Sequence, residues 1–195
     1  AREAARLYRD VLAHAPAQPD ALHFLGVLET QLGRHEAGLA LMDRALKLTP
    51  GNAALLYNRA NTLRDMGELE KSLSGYDAAL RTKKDNPAAL NNRGTVLHSL
   101  RRYSQAIADF DAVLRLNPGH LDALINRANV LVEIDRPEEA LDDYERALAL
   151  APNTVAPLYG KANALTALDR LEEAVAFYQR ALALVLEFCM SAAAG

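Results

Sequence analysis

The sequence predicts an all-α solenoid of antiparallel helix-turn-helix units, and three observations carry that prediction. The first is a 34-residue period: Leu22, Leu56, Leu90, Leu124 and Leu158 fall in one column, and Leu12, Leu46, Leu80, Leu114, Leu148 and Leu182 in another. The second is a pair of columns of contrasting size. Gly26, Ala60, Gly94, Ala128 and Ala162 are all small, whereas Tyr8, Met42, Tyr76, Phe110, Tyr144 and Tyr178 are mostly aromatic. The third is punctuation: Pro16, Pro50, Pro118 and Pro152 recur at one phase, broken only by Lys84. A period this long, held by small and large apolar positions, belongs to stacked supersecondary units rather than to one globular core.

The elements follow in order along a single array, 1–195. Residues 1–18 form a half repeat, because Tyr8, Leu12 and Pro16 belong to the second half of a unit; a preceding helix is therefore expected before Ala1. Full repeats are expected at 19–52, 53–86, 87–120, 121–154 and 155–188, with 189–195 as a tail. In the 87–120 unit, Leu90, Val96, Leu97 and Leu100 with Gly94 give one apolar face at helical spacing. Ala106, Ile107, Phe110, Val113 and Leu114 give a second face. Between them, the turn at Arg101–Tyr103 is too short for anything but antiparallel packing. Pro87, Pro137 and Pro157 fall in first turns, where a missing N–H costs nothing. Asn117-Pro118-Gly119 and Ala151-Pro152-Asn153 end second helices. Two departures stand out. Glu29 occupies the column of Leu63, Leu97, Leu131 and Leu165, and Lys84 replaces a turn proline, so the connection at 83–86 is expected to be looser than its siblings.

Composition limits the functions available. Of 195 residues, 50% are hydrophobic and 24% charged, which excludes a disordered chain. The formal net charge is −3, with both signs mixed along the length and no basic stripe, so no nucleic-acid partner is expected. The longest unbroken apolar run, Ala181 to Leu186, is far too short to span a bilayer, so no membrane insertion is expected. The single Cys189 forms no intramolecular disulfide and no cysteine-based metal cluster. His14, His23, His35, His98 and His120 show no metal-ligand spacing with one another or with Cys189. No catalytic constellation, cofactor or metal site is expected. The compartment expected by default is the cytoplasm.

A 34-residue helix-turn-helix with leucine, small, small, aromatic, small-leucine and proline in that order resembles the tetratricopeptide repeat. Asn58-Arg59-Ala60, Asn92-Arg93-Gly94 and Asn126-Arg127-Ala128 look like its common first-helix core. The resemblance implies a right-handed superhelix whose first helices line a concave groove, and a recognition scaffold rather than an enzyme. The lysine-rich pattern with which some family members clamp a chaperone's carboxylate tail is missing, since Ala54, Ala88 and Asp122 stand where a basic residue would help.

Two polar columns mark the candidate sites. Asn58, Asn92 and Asn126 recur one period apart, with Asn61, Asn129 and Asn163 three residues further along and Thr95 in the remaining slot. Residues three apart share a helix face, so stacking lines these amides up, either free to pair with the main chain of an extended peptide or bonded between neighbouring helices. The array resembles the asparagine ladder of O-linked N-acetylglucosamine transferases. Tyr57 and Tyr159 add apolar contact area beside the amides, with Asn91 and Ile125 in the same column. The second column is Arg59, Arg93, Arg127 and Lys161, each preceded by sixteen residues by Asp43, Asp77, Asp111 and Glu145. Leu25, the exception among the bases, is matched by Arg9 among the acids, so these are read as structural ion pairs between repeats.

The C-terminal stretch carries Leu184, Val185, Leu186, Phe188, Cys189 and Met190 around much of its circumference. Repeat arrays normally end in a polar-faced cap. This end is therefore expected to be buried, on the last unit or against another chain, making a homo-oligomer one of the expected partners. The function expected is a protein or peptide interaction scaffold binding an extended segment in its groove. The alternatives are a substrate-recruiting segment of a larger glycosyltransferase-like enzyme and a self-association module.

Overall fold

The structure, a computed structural model, describes residues 2–193, and within them the backbone forms eleven α-helices and no strand. The chain divides into two compact units, Ala1–Leu100 and Arg101–Gly195. The first holds α1 (Arg2–His14), α2 (Pro19–Gln31), α3 (His35–Leu48), α4 (Ala53–Asp65), α5 (Leu69–Thr82) and α6 (Pro87–Ser99). Hairpins α2–α3 and α4–α5 pack antiparallel, each second helix also packs on the next first helix, and α2, α4 and α6 lie side by side. Local chemistry sets these limits. Asn52 and Asn86 cap α4 and α6 by accepting from the Leu55 and Ala89 N–H groups at 3.1 and 3.2 Å. Gly33 and Gly67, both at φ 78°, turn the chain out of α2 and α4. In the same turns the N–H groups of Arg34 and Glu68 reach back to the carbonyls of Glu29 and Leu63 at 2.9 Å.

Leu22, Met42, Ala45 and Leu55 form a buried cluster in this unit, with Leu12, Leu41 and Leu46 against it. The small column works by contact: a side chain at Gly26 would run into Met42 Cγ and the Gly38 carbonyl. Among the described residues the connection at 83–86 lacks the bond that closes siblings such as 49–52, but so does 151–154, which keeps Pro152, so the missing proline does not explain it. Asn52 N–H donates to Thr49 O at 3.2 Å and Gln18 N–H to Ala15 O at 3.1 Å, whereas among the described residues no such bond closes 83–86.

The second unit holds α7 (Tyr103–Leu116), α8 (Leu121–Glu133), α9 (Pro137–Leu150), α10 (Val155–Ala167) and α11 (Leu171–Ala193). Its core joins Ala128, Leu131, Ala140, Leu141, Tyr144, Ala164, Leu165 and Ala174. Arg101, Asp135 and Asp169 occupy the register of Gly33 and Gly67 and take the same left-handed conformation, at φ 56°, 61° and 58°. Side chains are disfavoured there, so these turns are held against a local cost.

α11 corrects two expectations. The earlier second helices have 14 residues, but α11 has 23 and absorbs the assigned tail as far as Ala193; residues 194 and 195 lie outside the described residues. The apolar end does not fold back on the last unit: Phe188 and Met190 are 76% and 73% exposed. By length and composition, Leu171–Ala192 is also sufficient to cross a bilayer, which counting unbroken runs missed because Arg180 and Glu187 interrupt them. Ala174 and Ala181 are nevertheless buried, and Tyr178 bonds back to α10.

Candidate functional site: the first-helix face

In residues 1–100 the expected groove residues converge on α4. Tyr57, Asn61 and Arg64, spaced i, i+4 and i+7, share one face of that helix. From α6, Asn92 Nδ2 donates to Tyr57 Oη and to Asn61 Oδ1, both at 3.0 Å. The buried Tyr76 hydroxyl of α5 donates to the same Asn61 oxygen at 2.6 Å. On the other side, the Asn58 amide lies 2.8 Å from His23 Nε2 of α2. Burial lowers the His23 pKa, with Asp20 opposing, and so favours the neutral ring that accepts this bond. Burial also pushes the Tyr76 phenol up to about 12.

Free amides were one of the two arrangements open to these columns, and this is not the one found for Asn58 and Asn92. Side-by-side first helices bring each amide within reach of a polar group on the preceding helix, and a half-buried amide gains by pairing there. Asn92 spends both N–H bonds and keeps its carbonyl oxygen; Asn61 has two donors on its oxygen and keeps its NH2. Phe24 stands in the column of Asn58, 46% exposed and stacked on Tyr8 with centroids 5.8 Å apart.

In residues 101–195, Asn129 accepts from the Tyr144 hydroxyl at 2.6 Å and Asn163 from the Tyr178 hydroxyl at 2.7 Å. Burial pushes the Tyr144 pKa upward. Asn126 is half-buried and engaged as well. Tyr159 is 55% exposed and meets Tyr178 edge-on at 5.6 Å. The asparagine–tyrosine bond is thus a repeating device: the hydroxyl stands fifteen residues after the amide at 61/76, 129/144 and 163/178. Its signal was in the sequence. Where the amide column has Thr95 the aromatic column has Phe110, without a hydroxyl, and where it has Val27 the partner is Met42.

The charged columns meet in all four pairs. Arg59 Nε lies 2.5 Å from Asp43, Arg93 Nη1 2.7 Å from Asp77, and Lys161 Nζ 2.9 Å from Glu145, while Arg127 bonds Asp111. Two features escaped the columns. Arg127 also donates to Asp143, sixteen residues later, through two bonds of 2.7 Å; these hydrogen bonds to Asp143 raise the Arg127 pKa despite burial. Lys161, with Phe177 at that later position, places Nζ 4.5 Å from the ring centroid. These bonds occupy the cations and leave no open anion site at Arg127. Among the described residues, no group of three His, Cys, Asp or Glu side chains could hold a metal ion.

Profiles of the tetratricopeptide repeat match residues 85–153, residues 41–74, and, in a single profile, residues 1–53 together with 125–185. That last profile alone covers more than half of the sequence. The chain belongs to the tetratricopeptide repeat family. Solved tetratricopeptide repeat structures share its fold. One crystal structure of MamA superposes with a TM-score of 0.79 at 17% identity, covering 85% of this chain and 97% of that one. YrrB, described as a TPR protein with an unusual peptide-binding site, gives 0.78 at 19% identity over 92% and 93%. A tetratricopeptide repeat protein of Parabacteroides merdae gives 0.78 at 22% identity over 85% and 66%. No curated protein matches the sequence.

Proposed function

We propose that this tetratricopeptide repeat protein is an interaction module that takes an extended peptide on the α2–α4–α6 face of residues 1–100. The observation that carries the reading is the direction of the hydrogen bonds around Asn61. Asn92 donates to Tyr57 and Asn61, and Tyr76 donates to Asn61. The proton of Tyr57 and the NH2 of Asn61 are left to donate, and the carbonyl of Asn92 is left to accept. A peptide main chain offers both complements at every residue, so it is bound with little regard to its sequence. Because the side chains are already held by one another, little rotamer freedom is lost when a ligand arrives. Phe24, stacked on the His23 ring that meets Asn58, supplies an exposed aromatic surface on α2 for a ligand side chain.

The peptide-binding site for which YrrB is described supports the class of ligand on a similar fold. Substrate recruitment for a glycosyltransferase-like enzyme through a ladder of free amides is the weaker reading, since Asn58 and Asn92 already have side-chain partners.

The test is a fluorescence-anisotropy titration against a peptide selected from a random display library. Tyr57→Phe, which removes the outward proton together with the oxygen that accepts from Asn92, is expected to weaken binding several-fold, and Phe24→Ala more. Unchanged affinity in both, with Tyr159→Ala abolishing binding, would move the site away from this face.

A further inference from the structure

We infer that α11 pairs in parallel with α11 of a second copy of this chain. Val175, Gln179, Leu182, Leu186 and Cys189 are separated by four, three, four and three residues, which is the seam spacing of two helices wound together. All five are exposed, Leu182 and Leu186 at 58% and 53%. The seam is apolar except at Gln179. Parallel pairing sets Gln179 against Gln179, where two amides satisfy each other, whereas an antiparallel register faces Gln179 with an apolar or sulfur-bearing side chain. A lone polar layer of this kind fixes register.

Three observations favour a second copy over other occupants. First, α11 runs on through the position where the other connections turn: Leu186 stands in the column of Pro50, Pro118 and Pro152, and the helix continues as one rod to Ala193, exposed at 185–192. Second, the positions flanking the seam between 176 and 192 carry no charge, so two copies meet without like-charge repulsion, and Arg180 and Glu187 fall outside it. Burying the seam on both helices removes on the order of 1,000 Å² of surface, the lower edge of what holds a specific pair. A micromolar dimer is expected. Third, the helix suits a lipid surface poorly. Residues 181–193 carry no lysine or arginine to meet headgroups. Ala174 and Ala181 are buried and Tyr178 bonds Asn163, so the first half of α11 is committed to the last unit and is not free to enter a bilayer.

Sedimentation equilibrium of the full chain across micromolar concentrations tests this, with copper(II)-phenanthroline oxidation as a second readout. A reversible dimer is expected, with its dissociation constant raised at least tenfold by Leu182→Glu together with Leu186→Glu, in a variant whose circular dichroism stays helical. Mild oxidation should link two chains through Cys189, because parallel pairing sets the two sulfurs face to face, and Cys189→Ser should abolish the link. A monomer at all concentrations overturns the inference, as does a dimer that never cross-links. Flotation of the monomer with phosphatidylcholine vesicles would assign the helix to lipid instead.

Discussion

Arg9 grips Glu29 across the α1–α2 junction, with Nη2 2.5 Å from Oε1, although neither residue stands in a column that supplies its charge elsewhere. The acid column offers Arg9 at this junction and the leucine column offers Glu29, so two departures from the repeat meet and compensate. Arg34 bonds the other carboxylate oxygen, leaving Glu29 only 7% exposed at its side chain. The hydrogen bond from Arg34, then that from Arg9, hold the carboxyl below its ordinary 4.5, against the cost of burial. A depressed carboxyl contributes stability that is complete above 4.5 and lost as the pH falls through the lower folded value.

Glu29→Gln should therefore destabilise the fold at neutral pH and flatten its acid-side loss of stability. Replacing both partners, Arg9→Met with Glu29→Leu, should restore most of the loss, since an apolar pair of similar size needs no desolvated charge. Urea midpoints measured between pH 3 and 7 would show it.

Asn61→Ala leaves the buried Tyr76 hydroxyl without its acceptor and is expected to cost about 1–3 kcal/mol. Tyr76→Phe should cost less, about 0.5–1.5 kcal/mol. Asn61→Thr with Tyr76→Phe copies the pair the chain itself uses at 95 and 110, and should be milder than Asn61→Ala. Thermal melts of the three variants test the ranking.

Arg127→Ala strips the nearly buried Asp143 of its two-bonded partner and should cost about 3–5 kcal/mol. Arg59→Ala, whose partner Asp43 is 48% exposed, should cost at most about 1 kcal/mol. Near-equal losses in chemical denaturation would show that Asp143 finds enough support from Arg146, 3.4 Å away.

Arg101→Gly should stabilise the chain by roughly 0.5–1 kcal/mol, because glycine takes the left-handed turn without a Cβ clash, less its larger entropy when unfolded. Asp169→Gly should gain less, since aspartate tolerates that conformation better. Melting temperatures of the two variants give the comparison.

The helices and their limits were legible because the period is carried by packing residues: Gly26, Met42 and their equivalents must recur wherever a hairpin closes. The ion pairs were half legible. A sixteen-residue offset is visible between Asp111 and Arg127, but the opposite offset to Asp143 is obscured by Gly75 and Phe177 in the same column. The amide face was half legible too, since the spacing left free amides and bonds between neighbouring helices both open. Sequence spacing puts Asn61 and Asn92 on neighbouring helices, yet only geometry shows that they reach each other and Tyr57. The run of α11 past Leu184 was hidden for a different reason: a missing proline removes a stop signal without announcing how far the helix continues.

The bonds that orient Asn61 come from α5 and α6, so α4 alone does not build the face that bears it. A fragment ending at α5 would keep Tyr57, Asn61 and the Tyr76 donor but lose Asn92, which aims Tyr57. A ligand lying across α4 and α6 would, in turn, stitch α6 to the α4–α5 hairpin. Under a pull applied to the ends of the chain, such a ligand would act as a clasp, raising the force at which α6 peels away from α4. Peptide occupancy and resistance to unzipping are therefore expected to rise together.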